Sequence, residues 1–358
     1  MRIILGTALF LAMSACGGEK AGTSADNKGS QASSGSVDLT GAGATFPYPL
    51  YSKWFSDYAA KTGVRINYQS IGSGGGIRQL SEETVDFGAT DGPMTDEELK
   101  RAKGGPILHI PTVLGADAIT YNLPGVASGL KLTPDVIADI FLGKITKWND
   151  PRIATLNQGV QLPSTDLLVV HRSDGSGTTY IFTDYLTSVS SAWKAGPGKG
   201  KEVRWPVGLG AKGNEGVAGQ IKQTPGSIGY VELAYAKQNA LSVAAVRNSA
   251  GEFITPTVEA VTAAAAGAAS RLPSTSDYRI SIVNAPGAGA YPISSFTWIL
   301  VYQQQKDSVK SRKLVDFLNW ALTEGEAQAA PLDYAPIPES MAANLKARIA
   351  TIAVAPTR

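Results

Sequence analysis

Leu167-Leu168-Val169-Val170-His171-Arg172-Ser173-Asp174-Gly175-Ser176-Gly177-Thr178-Thr179 holds a strand, a glycine loop and the start of a helix in one short run. Residues 167–170 are a continuous apolar stretch of the buried-strand kind, and residues 178–186 read as a helix. The same order recurs upstream. Val64, Ile66 and Tyr68 alternate as a strand, the glycine-rich residues 70–76 follow as a loop, and a short helix runs from about Gly76 to Ser81. Residues 85–89 form the next strand, before a helix that Thr95 and Glu98 open as a capping box. Leu50, Trp54 and Tyr58 recur every four residues until Gly63 stops the run, which makes an amphipathic helix with a glycine end. Further along, Thr133-Pro134 precedes a helix over 136–142, residues 107–110 form a strand, and 258–268 are an alanine-rich helix. Residues 296–302 are a buried strand, and 309–322 are an apolar helix stopped by Gly325. Strand and helix alternating in this way predict an α/β fold with largely parallel sheets flanked by helices.

Three of these strand-to-helix loops share glycine and small hydroxyl residues: Gly41-Ala42-Gly43-Ala44-Thr45-Phe46-Pro47, Gly72-Ser73-Gly74-Gly75-Gly76, and the run from Arg172 to Thr179. Glycine lets backbone N–H groups converge on an anion, a helix N-terminus adds unpaired donors, and Ser or Thr hydroxyls add neutral ones. The third loop adds the forked cation Arg172 beside Ser173, Ser176 and Thr178. None has the spacing of a nucleotide P-loop or a dinucleotide fingerprint. Gly210-Ala211-Lys212-Gly213-Asn214-Glu215-Gly216 is a fourth glycine loop, read here as structural. For Asp91 the residues alone favour a cap after its strand, and for Arg172 an ion pair with Asp174.

Composition removes several classes. With 32 Lys+Arg against 30 Asp+Glu, no excess of positive charge exists to neutralise a nucleic acid, and no nucleic-acid partner is expected. One Cys and two His among 358 residues exclude a disulfide framework and a structural zinc site. His109 and His171 lack neighbours at ligand spacing and are read as packed or solvated. The length suits about two domains. Residues 1–15 have a cationic start, an apolar core and small residues before Cys16, the pattern of a signal peptide. Small residues before Cys16 resemble a bacterial lipoprotein box, with Met13 where Leu is usual. Lipidation of Cys16 is expected, the alternative being ordinary cleavage after Ala15. Residues 16–36 carry no apolar periodicity and are expected to be a tether.

The runs Thr40-Gly41-Ala42-Gly43-Ala44-Thr45-Phe46-Pro47, Val85-Asp86-Phe87-Gly88-Ala89-Thr90-Asp91-Gly92-Pro93 and Arg172-Ser173-Asp174-Gly175-Ser176-Gly177-Thr178 closely resemble the phosphate-binding proteins of bacterial phosphate ABC transporters. The likeness continues through Trp205-Pro206-Val207-Gly208, Gly229-Tyr230-Val231-Glu232, Ala234-Tyr235-Ala236-Lys237-Gln238-Asn239 and Leu332-Asp333-Tyr334. It implies a two-lobe periplasmic binding protein of type II, each lobe a mixed sheet flanked by helices, joined by two hinge crossovers. One lobe would comprise residues 37–112 plus 288–358 and the other 113–287. The resemblance further implies that Thr45, Phe46 through its backbone N–H, and Ser73 bind phosphate from one lobe, and Arg172, Ser176, Gly177 and Thr178 from the other. Asp91 would face the anion, and Asp174 would pair with Arg172. Gly74 stands where relatives often have a serine, which leaves one peripheral hydroxyl in doubt.

A carboxylate in an anion site accepts hydrogen bonds only, so the implied place of Asp91 would favour a ligand that carries a proton. Phosphate at neutral pH carries one and sulfate none, and Asp91 would therefore reject sulfate. The function implied is capture of inorganic phosphate in the periplasm by a monomer and delivery to the membrane permease, with no cofactor, metal or catalytic residue. The lipid anchor would hold the protein at a membrane. Gly17, in place of an acid after Cys16, leans toward the outer one. A secreted phosphohydrolase would need a metal cluster or an activated nucleophile, which the sequence does not offer. A phosphate sensor or scavenger would share the site and differ in its partner.

Overall fold

The strand-to-helix alternation positions every loop that matters. In the computed structural model, which describes residues 38–269 and 277–354, the chain opens with β1 (Leu39–Gly43), α1 (Tyr48–Thr62), β2 (Ile66–Ser70), α2 (Ser73–Ser81), β3 (Phe87–Thr90) and α3 (Asp96–Arg101). α1 buries Leu50, Tyr51, Trp54, Phe55 and Tyr58 on one face and ends at Gly63, whose φ of 78° is left-handed. At α3 both halves of the Thr95–Glu98 capping box form. The signal sequence, Cys16 and the tether lie outside the described residues.

α2 starts earlier than the sequence pattern suggests. Glycines 74–76 are its first turn rather than a loop, although glycine is a poor helix former. The reason is a close approach: a Cβ on Gly76 would stand 2.4 Å from the Gly43 Cα and 2.5 Å from the Ala42 carbonyl oxygen. Packing of α2 against β1 needs a bare backbone there, and this outweighs propensity.

The sixteen-residue strand β4 (Ile107–Asn122) is far longer than the four residues expected. Pro111 and Gly115 hide it in the sequence, since each normally interrupts a strand. Proline is tolerated because the register slips beside it. Thr297 pairs with Val113 and Trp298 with Pro111, which leaves Thr112 as an extra residue in a bulge.

The chain continues through β5 (Lys131–Leu132), α4 (Pro134–Phe141), α5 (Pro151–Leu156), β6 (Leu168–Arg172), α6 (Gly177–Val189), α7 (Ser191–Ala195), β7 (Leu209–Ala211), α8 (Gly213–Gln223), β8 (Ser227–Glu232) and α9 (Leu233–Gln238). Then come β9 (Ser242–Val243), β10 (Ala245–Arg247), β11 (Phe253–Ile254), α10 (Val258–Gly267), β12 (Ser294–Tyr302), β13 (Gln304–Gln305), α11 (Ser308–Ala321), α12 (Glu339–Ile349) and β14 (Ala353–Val354). The main sheet has the order β2-β1-β3-β12-β4-β8-β6-β7. β2, β1 and β3 are parallel, as are β8, β6 and β7, while β12 and β4 run antiparallel between the two parallel sets. The sheet is therefore mixed.

β4 joins the two halves of this sheet. It pairs with β12 as far as Ala116 and with β8 from Asp117 onward. Each half has its own aromatic packing, Tyr51, Phe55, Tyr68, Phe87 and Phe317 in one and Phe141, Phe182, Trp205 and Tyr230 in the other. The carboxyl ends of the parallel strands in both halves point toward one another, the place where open α/β sheets collect ligand loops.

Gly76→Ala should lower stability by about 1–3 kcal/mol, the scale of a core overpacked by one methyl group. Urea unfolding checks this, and an unchanged midpoint would show that α2 can shift without cost.

Candidate anion site

The site lies where β1, β2, β3 and β6 end. Thr45 and Phe46 follow β1, Ser73 opens α2 after β2, Asp91 directly follows β3, and Arg172 closes β6 ahead of Ser176, Gly177 and Thr178 at the start of α6. All of them are buried. Every residue that the sequence analysis assigned to binding is thus brought to one locality from both halves of the sheet. The fit is tight: a Cβ on Gly177 would lie 2.4 Å from Asp91 Oδ2 and 2.5 Å from Ser73 Oγ. Only glycine lets the N-terminus of α6 approach the opposite half so closely.

Four hydroxyl groups in this locality share one arrangement, in which the protein donates to the oxygen. Thr45 Oγ1 accepts from Asn214 Nδ2 at 2.8 Å and from the Asn214 N–H at 3.3 Å. Thr178 Oγ1 accepts from Arg172 Nη1 at 3.2 Å and from Asn214 Nδ2 at 3.0 Å. Ser176 Oγ caps α6 by accepting the Thr179 N–H at 3.0 Å. Ser73 Oγ accepts the Asp91 N–H at 3.2 Å, and its own proton finds only Asp91 Oδ2 at a long 3.5 Å. A hydroxyl whose oxygen is already receiving a bond has its proton left to give. The result is a set of neutral O–H donors beside the unpaired N–H groups of the first turn of α6.

The cation is held rigidly. Arg172, with 1% of its side chain exposed, donates from Nε to Asp174 Oδ1 at 2.8 Å and from Nη2 to Asp174 Oδ2 at 2.6 Å. Burial pushes the Asp174 carboxyl up, but the Arg172 bonds, its charge and the Gly213 N–H outweigh this and hold the carboxyl below its ordinary range. Asp91 differs. Its Oδ1 accepts from Thr297 Oγ1 at 2.7 Å, yet burial dominates the Thr297 bond and the Arg172 charge and pushes the carboxyl up to about 7.

Two residues depart from the sequence reading. Ser173, counted there among the potential donors of the third loop, is exposed, and its N–H bonds the Ala211 carbonyl at the edge of the sheet. Asn214 belongs to the site, although its glycine loop reads as structural. Its Nδ2 divides two protons between Thr45 and Thr178, and its Oδ1 accepts the Glu232 N–H at 3.0 Å, which fixes the amide orientation. The signal was present, a glycine loop opening a helix, but an amide there is indistinguishable from an ordinary helix start. His171 stacks on Trp205 with ring centroids 4.7 Å apart, and His109 Nε2 accepts the Met94 N–H at 3.1 Å. Burial pushes the His109 imidazole down to about 3.

Residues 26–324 match the PBP superfamily domain. The chain is 47% identical over 311 residues to the phosphate-binding protein PstS of Pasteurella multocida, covering 87% of this chain and 89% of that one. It belongs to the PstS family. The PstS protein of Methanocaldococcus jannaschii is 38% identical over 363 residues, covering 96% of this chain and 93% of its own. Among solved structures, the high-affinity periplasmic phosphate-binding protein PfluDING bound with phosphate aligns at a TM-score of 0.68 and 22% identity, covering 87% of this chain and 93% of that one. A putative phosphate ABC transporter substrate-binding protein with bound phosphate from Clostridium perfringens aligns at 0.61 and 18%, covering 84% and 99%. The fold is that of the type II periplasmic binding proteins, as the resemblance implies.

In this member of the PstS family Asp91 should leave a signature in stability. Its carboxyl titrates at about 7 when folded, against 3.8 for an unperturbed side chain, so between those values the folded form keeps a proton the unfolded form has lost. The stabilisation is complete below the lower value and disappears as pH rises through the higher. Denaturant titrations without ligand, at about pH 4 and about pH 8, should show wild type losing more stability than Asp91→Asn. Equal losses would show that Asp91 does not hold the proton.

Proposed function

We propose that this chain captures inorganic phosphate between the two halves of its sheet and delivers it to the permease of a phosphate ABC transporter. The observation that carries this reading is the set of four buried hydroxyls in one locality, Thr45, Ser73, Ser176 and Thr178, whose oxygens are occupied by protein donors, which leaves their protons to give. With the Phe46 N–H and the first-turn N–H of Gly177, they form a largely neutral cradle for a tetrahedral oxyanion. Arg172 adds the charge, and Asp174 fixes its fork and tempers it. With the ligand in place Asp91 is ionised, its empty-site proton gone, and is the acceptor for the proton that phosphate brings. Sulfate has none to offer, and its oxygens would face an acceptor without a hydrogen between them.

The partner change within β4, which falls after Ala116, supports a hinged reading of the fold, for which we propose residues 37–112 and 288–358 as one lobe and 113–287 as the other. The same proposal places the protein in the periplasm as a monomer held by lipid on Cys16. Size-exclusion mass measurement tests the first point and release of Cys16→Ser from membranes the second.

Isothermal titration of the anion-stripped protein tests the central claim. One-to-one heat from phosphate and none from sulfate is expected, and silence with phosphate would overturn the reading. Arg172→Ala should weaken phosphate binding by about 1.5–3 kcal/mol, the scale of a charge-assisted hydrogen bond. Unchanged affinity would remove Arg172 from the site. Asp91→Asn should gain sulfate binding relative to wild type, and a variant that excludes sulfate as strongly would end the selectivity role.

A further inference from the structure

Tyr334 has one hydroxyl proton and two oxygens within reach, the Phe46 carbonyl at 2.7 Å and Glu232 Oε2 at 3.0 Å. A carbonyl can only accept. If the Tyr334 proton goes to Phe46, the second contact is a hydrogen bond only when Glu232 supplies a proton of its own. A Glu232 carboxylate would force a choice. Either the Phe46 carbonyl loses its donor, or two acceptor oxygens face each other at 3.0 Å, or one proton is shared weakly between two buried acceptors. Both side chains are fully buried, at 0% exposure, so water cannot relieve any of these outcomes.

We infer that Glu232 is a neutral carboxylic acid in this site and acts as a positioning residue, donating from Oε2 to Tyr334, which donates in turn to the Phe46 carbonyl. Oε2 also accepts the Ala234 N–H at 2.8 Å, a bond that a protonated oxygen still makes through its lone pair. The relay ends on the residue whose N–H faces the anion. It anchors that residue from the carbonyl side while Tyr235 donates to the Thr45 carbonyl at 2.7 Å, on the peptide that bears this N–H. One loop is thus held by two tyrosines.

A second observation supports a neutral Glu232. In the β4–β8 ladder its direct cross-strand partner is Asp117, whose two carboxyl oxygens, like Glu232 Oε1, are buried without a hydrogen-bond partner among the described residues. Two ionised carboxyls facing each other in a dry interior would repel strongly. The other groups around Glu232 do not offset this. Asp333 adds negative charge from the segment before α12, reduced but not removed by its ion pair with Lys237 on α9, Tyr334 and Asn214 are neutral, and Arg172 on β6 is already engaged by Asp174. Burial pushes the Glu232 carboxyl well above its ordinary value, the Tyr334 and Ala234 bonds pull it down, and the charges of Asp333 and Asp117 push it up again. By its place at the start of α9, Glu232 has the look of an ordinary ionised helix cap. The relay gives it a different task.

The protonation stands on the geometry alone, whereas its consequence for affinity rests on the phosphate-binding reading. Infrared difference spectra of the full chain at neutral pH, wild type minus Glu232→Gln, should contain a protonated-carboxyl C=O band that moves on deuteration. The Asp91 band is common to both proteins and cancels, and carrying Asp117→Asn in both removes any band from the coupled cross-strand acid. Absence of the difference band would overturn the inference, with or without phosphate binding. Tyr334→Phe, which removes a single hydroxyl, serves should Glu232→Gln not fold. It should shift the band as the proton loses its acceptor, and an unmoved band would overturn the relay.

Phosphate calorimetry then reads the positioning role. Tyr334→Phe and Glu232→Leu should each weaken binding roughly five- to tenfold, the loss expected of one buried hydrogen bond, with the double variant no weaker than either single one, while Glu232→Gln, whose side-chain N–H can still donate to Tyr334, should keep most of the affinity. Fully additive losses would mean that the two residues act independently. If wild type itself binds no phosphate, the functional reading fails while the infrared result still decides the state of Glu232.

Discussion

One guanidinium serves a buried site that holds more acid than base. Arg172 lies among Asp91, Asp117 and Asp174, with Glu232 opposite Asp117 in the sheet, and Asp174 alone takes two of its hydrogen bonds. Because charges cannot be left unpaired in a dry interior, the remaining acids are tolerable only where they hold protons or accept well-placed bonds. Burial pushes the carboxyls of Asp91, Asp117 and Glu232 upward, in keeping with that requirement. An anion entering such a site cannot rely on net positive charge. It has to be held by dipoles, and the rest of the architecture follows from that.

The dipoles in question are oriented by folding rather than by the ligand. The four hydroxyls receive bonds from three parts of the scaffold: Thr45 and Thr178 from the Asn214 amide at the start of α8, Ser176 from the first turn of α6, Ser73 from the backbone that follows β3. A rotor so constrained has little conformational freedom left to lose when an anion arrives, so preorganisation and not new order supplies the binding. Asn214 is central because it sets two of these rotors at once while its own orientation is fixed by the Glu232 N–H. The same residue, Glu232, governs Asn214 through its backbone and Phe46 through its side chain.

Much of this was legible in the sequence, and the exceptions have physical reasons. Thr45, Phe46, Ser73, Arg172, Ser176, Gly177 and Thr178 lie in loops whose glycine and hydroxyl content is itself the chemistry of the proposed anion site, so their convergence in one locality could be expected from composition. Asn214 and Glu232 act on those residues from a distance in sequence and occupy helix starts, where amides and acids are common for local reasons. Nothing in their neighbourhood separates the two roles. Ser173 carries the right chemistry and the wrong direction, since its N–H takes part in the sheet edge and its side chain faces outward. The length of β4 was hidden because Pro111 sits in a bulge that removes the usual objection to proline in a strand. The early start of α2 was hidden because a tertiary contact at Gly76 decides it.

The contacts across the site bear on how such a clamp lets go. The Gly74 N–H donates to the Gly175 carbonyl at 2.8 Å, Lys201 Nζ donates to the Pro93 carbonyl and to Glu98 at 2.9 Å each, and Asn214 reaches Thr45. These are hydrogen bonds at or near a surface that water can reach once the halves separate, and each is worth only about 1 kcal/mol net. Aromatic clusters form around Phe55 in one half and Phe182 in the other, within an apolar core that is continuous between the halves. Buried bonds also cross, from Tyr235 to the Thr45 carbonyl and between Glu232 and Tyr334, so separation has to occur at the rim of the site and bend the rest. β4, running unbroken through both halves, keeps them attached while the bulge at Thr112 and the change of partner after Ala116 give it places to bend. On the proposed reading, a ligand that satisfies donors from both sides adds its own contacts to these, which would tie closure to occupancy and let release follow from prising the halves apart.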